Sequence, residues 1–309
     1  MPTKKAVVGS AEGGTRRIRK RSGRVALIGR ANAGKSTLLN AIVGEKIAIV
    51  SPHPQTTRQR LLGILTNSDG QIVFVDTPGV HQPRHRLGVQ MVHEATEALR
   101  DVDAVVVVVD ARAALPDAEL LATLPKGVPT ICALNKVDIV HPKERLMPVL
   151  AAWSAARDFE AIIPISAKTK SGIKQLLAAL HERMPEGPPL FEDDTLTDKP
   201  VRFMVAEFVR EQILLRTRQE VPHGIAVTVD RFEEDEKAGH KVALTVHVAK
   251  ESHKKIVVGK GGAMLKSVGI SARRELERLL GHKVHLKIWV RVTPDWVDDP
   301  KALGQMGFE

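Results

Sequence analysis

Apolar residues follow two different patterns along the chain, and the first extends from about residue 24 to residue 183. There, short runs rich in Val and Ile alternate with longer stretches of helical period. The runs are residues 25–28, 72–76, 104–110, 130–135 and 162–166. Continuously apolar strands are typical of a sheet covered on both faces. Their alternation with helices predicts an α/β domain with a doubly wound, mostly parallel sheet.

The second pattern begins after a stretch rich in Pro and acids at residues 185–199. Residues 201–215 have a helical period, and alternating apolar positions then predict a hairpin over residues 225–248. Two short predicted helices lie on either side of residues 259–262, and a final alternating strand covers residues 284–292. The order α-β-β-α-α-β predicts a smaller α+β domain, in which helices cover one face of a three-stranded sheet.

A chain of 309 residues exceeds a typical single domain. We expect a basic, disordered arm at 1–23, an α/β domain at 24–184, a linker at 185–199, and an α+β domain with a C-terminal tail at 200–309. No apolar run approaches the ~20 residues that span a bilayer. The basic N-terminus has no apolar stretch of the signal-peptide kind behind it. We therefore expect a cytoplasmic protein.

The net charge of +10 is unevenly distributed. Residues 1–24 carry eight Lys and Arg and one acid, residues 25–199 are nearly neutral, and residues 200–309 carry 19 Lys and Arg against 15 acids. This basicity indicates a polyanionic partner, and both nucleic acid and an anionic membrane fit it. The single cysteine, Cys132, excludes an intramolecular disulfide, and its apolar surroundings predict a buried residue.

Residues 29–36 (Gly-Arg-Ala-Asn-Ala-Gly-Lys-Ser), here called the phosphate loop, stand between a predicted strand and a predicted helix. Glycines let backbone N–H groups wrap around phosphate oxygens, and the helix that follows adds its positive end. We expect Lys35 to reach the β- and γ-phosphates of a nucleotide and the Ser36 hydroxyl to hold Mg²⁺. The expected phosphate-binding residues are Gly29, Asn32, Ala33, Gly34, Lys35, Ser36, Thr37, Asp76 and Gly79.

Two further segments suit a triphosphate with its metal ion. The sequence Asp-Thr-Pro-Gly closes another predicted strand, so that Asp76 can hold Mg²⁺ through water and the Gly79 N–H can approach the γ-phosphate. A polar loop at residues 54–60 offers a hydroxyl to Mg²⁺ when the γ-phosphate is present. Thr57 is the preferred residue and Thr56 the alternative, since spacing does not decide. The expected metal ligands are therefore Ser36, Thr57 and Asp76, and the expected catalytic residues are Lys35, Thr57 and Gly79.

The sequence Asn-Lys-Val-Asp, residues 135–138, follows the next predicted strand. Guanine presents its N1–H and 2-amino donors side by side, which one carboxylate accepts together, whereas adenine presents a lone pair. Asp138 therefore selects guanine. Lys136 lies along the base, Asn135 ties this loop to the phosphate loop, and the Ala167 N–H donates to guanine O6. The expected guanine-binding residues are Asn135, Lys136, Asp138, Ser166, Ala167 and Lys168.

Residues 256–262 (Ile-Val-Val-Gly-Lys-Gly-Gly) place a GxxG sequence between two predicted helices. In KH domains such a loop presents N–H groups to the backbone of about four single-stranded nucleotides. With flanking lysines and the order α-β-β-α-α-β, it predicts a type II KH domain that binds RNA. Trp289 and Trp296 either stack on bases or fill the core. The expected RNA-binding residues are Lys254, Lys255, Val258, Gly259, Lys260, Gly261, Gly262, Lys266 and Arg273.

The order GRANAGKS, QTTR, DTPG, NKVD and SAK resembles the translation-factor-related class of GTPases. Together with the KH module, QTTR resembles the bacterial Era family over about residues 24–300. The resemblance implies hydrolysis of GTP to GDP with Mg²⁺, binding of the 3′ end of 16S rRNA, and a role in 30S ribosomal subunit assembly. We expect a monomer. One departure is Ala31, where the family usually has proline.

Two residues bear on the rate of hydrolysis. Val80 stands where many GTPases have a glutamine that orients the attacking water, so we expect slow intrinsic hydrolysis. Asn32 matches an asparagine that, in related GTPases, coordinates a monovalent cation. K⁺ bound there would supply charge that an arginine finger supplies elsewhere. The alternative is that Asn32 only caps the local backbone.

The leading hypothesis is a GTP-controlled RNA-binding assembly factor, in which GTP orders the loop at Thr57 and changes how the two domains sit together. A second hypothesis is a peripheral GTPase on the anionic inner membrane that uses residues 1–24 and the basic C-terminal face, although no amphipathic insertion helix accompanies them. A third is a GTPase serving RNA modification. It would need a nucleophile such as a cysteine, and Cys132 is poorly placed for one.

Overall fold

The buried runs of the first domain form a six-stranded sheet. The computed structural model describes residues 20–79, 85–113, 115–217 and 224–308. The strands are β1 (Arg21–Ile28), β2 (Leu61–Asn67), β3 (Gly70–Asp76), β4 (Ala104–Asp110), β5 (Thr130–Asn135) and β6 (Ala161–Pro164). Their order is β2-β3-β1-β4-β5-β6, and every pair is parallel except β2 with β3. The predicted mostly parallel sheet is confirmed.

Helices cover both faces of this sheet because neighbouring residues of each strand face opposite sides. Val25 and Leu27 of β1 pack in one apolar cluster with α1 and α5, whereas Ala26 and Ile28 pack in another with α3 and α4. The helices of this domain are α1 (Lys35–Val43), α2 (Arg86–Glu97), α3 (Ala118–Ala122), α4 (Leu146–Ala156) and α5 (Ile173–His181). The sheet is thus the middle of three layers, with helices on both sides. The phosphate loop joins β1 to α1.

The second domain has the predicted α-β-β-α-α-β order. Its elements are α6 (Val201–Leu214), β7 (Ile225–Glu233), β8 (His240–Val248), α7 (Glu251–Val258), α8 (Ala263–Leu280), β9 (Val284–Val292) and α9 (Pro300–Gln305). The sheet order is β7-β8-β9, with β7 antiparallel and β9 parallel to β8. The inner face packs on α6, α7 and α8. Among the described helices, none has the combination of length and apolar character needed to cross a bilayer.

Three details differ from the sequence predictions. Strand β1 starts at Arg21, so residues 21–23 of the predicted arm belong to the sheet, and the rest of that arm through residue 19 lies outside the described residues. The antiparallel edge strand β2 was not predicted, because its apolar residues are interrupted by Gly63 and end in polar ones. The helix after the GxxG sequence is a single long one, α8, rather than a short one.

The predicted linker at 185–199 is attached to the first sheet rather than free of it. The Ile64 N–H of β2 donates to the Leu196 carbonyl at 2.9 Å, and the Leu62 N–H donates to the Asp198 carboxylate at 2.9 Å. Strand β2 is an edge strand, and these contacts satisfy backbone groups that an edge otherwise leaves unpaired. The linker therefore covers the edge of the first domain before the chain enters α6.

Candidate functional site

Two glycines of the phosphate loop pack closely against neighbouring parts of the chain. Gly34 precedes α1 with a positive φ of 100°, and a Cβ atom there would collide with the Asn135 amide. A Cβ atom at Gly29 would collide with the Val108 carbonyl oxygen of β4. Glycine is therefore required at both positions. The Lys35 ammonium donates to the Gly29 carbonyl at 3.0 Å, across the mouth of the loop.

A cavity of about 490 Å³ lies over this loop. Its walls are the phosphate loop, the start of α1, the loop between α1 and β2, Gly79 and Lys136. Beyond these segments, Arg112 after β4 and Leu215 at the end of α6 also line it. The second domain thus contributes directly to the wall of the nucleotide cavity.

Three oxygen-bearing side chains converge at one end of the cavity. The Ser36 hydroxyl donates to Asp76 Oδ2 at 2.7 Å and lies 2.8 Å from Thr57 Oγ1, which is 3.4 Å from the same carboxylate oxygen. The other oxygen, Asp76 Oδ1, is buried and has no hydrogen-bond partner among the described residues. Hydroxyl and carboxylate oxygens are ligands that Mg²⁺ prefers, and a buried carboxylate oxygen without a donor calls for a cation. The residues present therefore fit Mg²⁺.

The neighbouring hydroxyl, Thr56 Oγ1, has different partners. It donates to the His53 carbonyl at 2.8 Å and lies 2.7 Å from Ser51 Oγ. These contacts hold Thr56 within its own loop, away from Asp76. Of the two threonines that the sequence left open, the structure brings Thr57 to the oxygen cluster.

Burial perturbs both charges of the site. It lowers the pKa of Lys35, which the Asp76 carboxylate offsets only in part. It raises the pKa of Asp76 against the opposing effects of Lys35 and of the two hydroxyls. Each charge has left water for a site with few counter-charges. A bound triphosphate and its metal ion would supply the missing partners, the phosphate for Lys35 and the cation for Asp76.

The strand β5 ends in the predicted guanine loop. The Asn135 amide donates to the Ala33 carbonyl at 2.9 Å, which is the predicted tie to the phosphate loop. Its oxygen accepts the Ala167 N–H at 2.9 Å. A contact of Ala167 with guanine O6 must therefore share or replace this bond, which the sequence did not indicate.

Lys136 is held by two groups from the other side. Its ammonium donates to the Asn32 carbonyl at 2.5 Å and to Asp110 at 2.9 Å. Arg112 also binds Asp110 through two hydrogen bonds of 2.9 and 2.6 Å. Although partial burial opposes ionisation, the hydrogen bonds from Arg112 and Lys136 hold the pKa of Asp110 well below its usual range. The role of Asp110 in holding Lys136 was not predicted. Its position at the end of β4, like that of Asp76 at the end of β3, was a signal in the sequence that could have indicated it.

The carboxylate that the sequence predicts to select guanine is open to a ligand. Asp138 accepts no hydrogen bond from the part of the chain that the structure describes, and it lies in a short 3₁₀ turn beyond β5. The Lys168 side chain is exposed, whereas the Ser166 hydroxyl accepts the Thr169 N–H at 3.1 Å and shapes the turn. Asp138 and Lys168 are thus available to a base, and Ser166 supports the loop.

Asn32 has a left-handed backbone, with φ of 61°. Its amide nitrogen donates to the Pro52 carbonyl at 2.8 Å, so the side chain joins the phosphate loop to the loop after α1. Asn32 also lines the nucleotide cavity, and no described residue donates to its amide oxygen. Val80, the other residue that bears on the rate, lies outside the described residues.

The GxxG sequence links α7 to α8. Gly259, Gly261 and Gly262 all have positive φ, of 74°, 59° and 79°. A Cβ atom at Gly259 would collide with Met264, whereas positions 261 and 262 have open space around them. The loop therefore presents uncovered backbone to solvent, as close approach of a sugar–phosphate chain requires.

The predicted basic residues lie around this loop, with one exception. Lys255, Lys260 and Lys266 are exposed, and Lys254 is partly buried on α7. Arg273 lies ten residues into α8, about 15 Å from the loop at 1.5 Å per residue, and faces Glu277 at 4.0 Å. Val258 is partly buried beside the loop. Two exposed apolar side chains of α7 and α8, Ile256 and Ile270, were not predicted from the sequence.

The two tryptophans of the second domain have opposite environments. Trp296 is fully buried, and its indole N–H donates to the Gly224 carbonyl at 3.3 Å. Trp289 is 53% exposed on β9. The buried residue is structural, and only Trp289 is accessible to a base.

Helix α6 contacts the loop that carries Thr57. Arg210 donates to the Thr56 carbonyl at 2.5 Å, and Glu211 accepts the Val50 N–H at 2.9 Å. His53 Nε2 lies 2.9 Å from the Leu214 carbonyl, at the end of the same helix. Contacts from three consecutive parts of the loop thus hold it against the second domain.

The sequence matches two known domain families. A family model described as "50S ribosome-binding GTPase" matches residues 24–136, and one described as "KH domain" matches residues 220–297. The GTPase Era of Lactobacillus delbrueckii subsp. bulgaricus is 44% identical over 94% of this chain and 96% of its own. The GTPase Era of Trichlorobacter lovleyi is 45% identical over 94% of this chain and 98% of its own.

Two solved structures are similar over nearly the whole chain. An Era variant of Aquifex aeolicus bound to GDP·AlF₄⁻ has a TM-score of 0.89 and 35% identity, and the match covers 93% of this chain and 99% of that one. Era in complex with MgGDPNP and nucleotides 1506–1542 of 16S ribosomal RNA also has a TM-score of 0.89, with 36% identity over 94% of this chain and 99% of that one.

The fold and the nucleotide cavity define a P-loop enzyme that hydrolyses GTP and is joined to a KH domain. Identity and structural similarity extend through both domains and across their junction. The chain belongs to the Era family of GTPases, and the resemblance inferred from its motifs is confirmed.

The guanine loop yields a prediction at Asp138. Asp138→Asn replaces two acceptors by one acceptor and one donor, which suits xanthine rather than guanine. We expect GTP affinity to fall about a hundredfold or more, because a buried polar site rejects a mismatched base. Xanthosine triphosphate should then bind more tightly than GTP in a nucleotide-displacement titration. The exposed Asp158→Asn is the control, and unchanged GTP preference in Asp138→Asn would contradict the assignment.

Proposed function

We propose that this protein is a GTP-controlled factor that binds the 3′ end region of 16S rRNA and acts in assembly and maturation of the 30S subunit. The observation that carries the proposal is the similarity of the whole chain to Era holding MgGDPNP and 16S rRNA nucleotides. The open GxxG loop and its lysines supply the chemistry for the RNA. The description "50S ribosome-binding" belongs to a model that covers residues 24–136 alone, without the RNA-binding domain.

At the nucleotide, we propose roles for the residues that the cavity brings together. Lys35 turns from the Gly29 carbonyl to the β- and γ-phosphates, and Gly79, which packs on the backbone of Ala31, offers its N–H to the γ-phosphate. Ser36, Thr57 and Asp76 hold the metal ion. Mg²⁺ neutralises charge that develops on the phosphate oxygens during transfer to water. With no described side chain assigned to orient that water, we expect slow intrinsic turnover.

We propose that the loop carrying Thr57 transmits the nucleotide state to the RNA-binding domain. The Thr57 hydroxyl faces the oxygen cluster of Ser36 and Asp76, while the carbonyl of the preceding residue, Thr56, faces Arg210. When the γ-phosphate is lost, the contact of Thr57 with the metal ion is no longer stabilised, and Thr57 can leave the cluster. The same movement then withdraws Thr56 from Arg210 and changes the position of α6, which begins the RNA-binding domain.

The two alternative functions receive less support. Cys132 is fully buried, and burial raises the pKa of its thiol to about 12, so no thiolate nucleophile is available for RNA modification. The basic residues near the GxxG loop fit RNA and an anionic membrane alike, but the uncovered glycine backbone fits RNA specifically. We therefore propose a monomer acting in the cytoplasm, with membrane contact as a weak secondary association.

RNA binding through the GxxG loop is tested at Gly261. Gly261→Asp sets a carboxylate against the phosphates, and like charges in contact cost several kcal/mol, so we expect RNA affinity to fall about a hundredfold. The space around this glycine is open, and Asp tolerates its φ of 59°, so the fold should persist. Binding is measured by fluorescence anisotropy with RNA from the 3′ end of 16S rRNA.

Gly261→Asn is the matched control, because it has the same shape and backbone demand without the charge. It should retain most RNA affinity. Both variants should bind GTP as the parent protein does. Equal RNA binding by the Asp and Asn variants would show that phosphates do not lie against this loop.

The coupling proposal is tested at Arg210. Arg210→Met removes the donor to the Thr56 carbonyl, so we expect the ratio of RNA affinities in the GTP-analogue and GDP states to fall toward one. GTP affinity and RNA affinity in one fixed state should persist. Arg202→Met, an exposed arginine on the same helix, is the control. An unchanged ratio in Arg210→Met would remove this contact from the coupling route.

A monovalent cation at Asn32 is a further proposal. K⁺ near its amide oxygen would stabilise charge between the phosphates, so GTP turnover in K⁺ should exceed turnover in Na⁺ by roughly tenfold, below the 10³–10⁵ of an arginine finger. Asn32→Gly accepts the backbone φ of 61° and should lose this difference while keeping its rate in Na⁺. Equal turnover of the parent protein in both salts, across several ionic strengths, would refute the cation site.

A further inference from the structure

The outer face of the small sheet carries a row of exposed side chains on β9. The inner face of this strand packs on α7 and α8, while His285, Lys287, Trp289 and Arg291 alternate toward solvent. Among the described residues, one end of the outer face is covered, where Ala226 of β7 is buried among α2 and residues 296–303, here called the C-terminal segment. The middle and the β9 side of the face remain open among the described residues.

Trp289 is the unusual member of this row. Its side chain is 53% exposed, whereas Trp153 and Trp296 are 1% and 0% exposed. Lys287 and Arg291 flank it on the same strand, and Thr245 of β8 lies directly across from it. Neither cation forms an ion pair with a described residue. An accessible indole thus lies between two uncompensated positive charges.

The described acids of this face come from β7, although the Asp230 carboxylate reaches Thr245 on the middle strand. Asp230 is on β7 and accepts the hydroxyls of Thr228 and Thr245, at 3.4 and 2.7 Å. Glu233, also on β7, pairs with Arg231. The β9 side is therefore the cationic side of the face. Charged side chains on an edge strand can prevent it from pairing with another chain. A large exposed indole has the opposite effect, so protection of the edge does not account for Trp289.

The position of β9 places this row within reach of RNA from the GxxG groove. Both helices that carry the GxxG loop pack on β9, and its outer edge is free because the sheet ends there. A KH groove holds about four nucleotides. The RNA in the related structure, nucleotides 1506–1542, is far longer. A strand that leaves the groove across this edge meets Lys287, Trp289 and Arg291.

We propose that Lys287, Trp289 and Arg291 form a second RNA-binding surface, the β9 surface, which holds single-stranded RNA that extends beyond the GxxG groove. One base stacks on the Trp289 indole, and the neighbouring phosphates lie against the two cations. Aromatic stacking with flanking cations is how proteins bind single strands without sequence preference. The inference rests on the proposed function, since the same RNA occupies the groove.

The test compares two RNAs on the full-length protein with a non-hydrolysable GTP analogue bound. One is a 12-nucleotide single strand from the 3′ end of 16S rRNA, and the other is a five-nucleotide piece of it that fills the groove alone. Trp289→Ala should weaken the longer RNA about tenfold, within the range for loss of one base–aromatic stack, and leave the shorter one unchanged. Met147→Ala, another exposed apolar side chain, is the control.

The cations are tested by salt dependence. The double variant Lys287→Gln, Arg291→Gln should have a weaker salt dependence for the longer RNA. The negative slope of log affinity against log salt should become smaller in magnitude by about 1.4, at about 0.7 per lost phosphate contact. The exposed Lys174→Gln should not change it. Acrylamide should quench mainly the fluorescence of Trp289, because the other two tryptophans are buried. A decrease in this quenching when the longer RNA is added therefore shows that the RNA covers Trp289.

The outcomes separate this inference from the function on which it rests. If the parent protein binds neither RNA, the proposed function fails. If it binds both, and Trp289→Ala binds the longer RNA as tightly as the parent does, the β9 surface is overturned. Loss of binding to vesicles of anionic phospholipid in Trp289→Ala, with RNA binding intact, also overturns it and assigns the surface to a membrane.

Discussion

The structure depends on one constraint, that adjacent residues of a single loop face opposite domains. The Thr57 side chain lies in the oxygen cluster with Ser36 and Asp76, and the Thr56 carbonyl accepts a hydrogen bond from Arg210 of α6. One peptide separates the two groups, so neither can move far without moving the other. In the proposed coupling, this short connection is the route by which loss of one phosphate reaches the RNA-binding domain.

Polar contacts join the loop to α6, beside an apolar cluster that contains Ile47, Ile49 and Phe208. Glu211 accepts the Val50 N–H and pairs with Lys46 at 2.6 Å, and Arg58 of the same loop donates to the Ile225 carbonyl. Burial and the neighbouring charge of Arg210 lower the pKa of Arg58 to about 9, and the Glu207 carboxylate, which pairs with Arg210, opposes this shift. Water can replace polar contacts at small net cost. The interface is therefore suited to opening and closing.

The sequence predicted most of what backbone chemistry determines and less of what tertiary contacts determine. The strands β4 and β5 were predicted to the residue, because continuous apolar runs end sharply at Asp110 and Asn135. The ligand role of Thr57 was left open, since only the turn at Ser51 and His53 directs Thr56 away. Asp110 and Leu215 were missed because their relevance arises from contacts across more than 20 residues of sequence. Trp289 was ambiguous because alternation does not say which face of a strand is covered.

A second connection joins the nucleotide cavity to the RNA-binding domain. Helix α2 begins soon after Gly79, and its Leu87 and Met91 are fully buried against Trp296 of the C-terminal segment. The Leu87 N–H also donates to the Val297 carbonyl at 3.1 Å. Exposing this apolar cluster to water costs free energy. Under the proposed coupling, a rearrangement that breaks the hydrogen bonds at α6 while keeping this apolar cluster would turn the domains about Trp296.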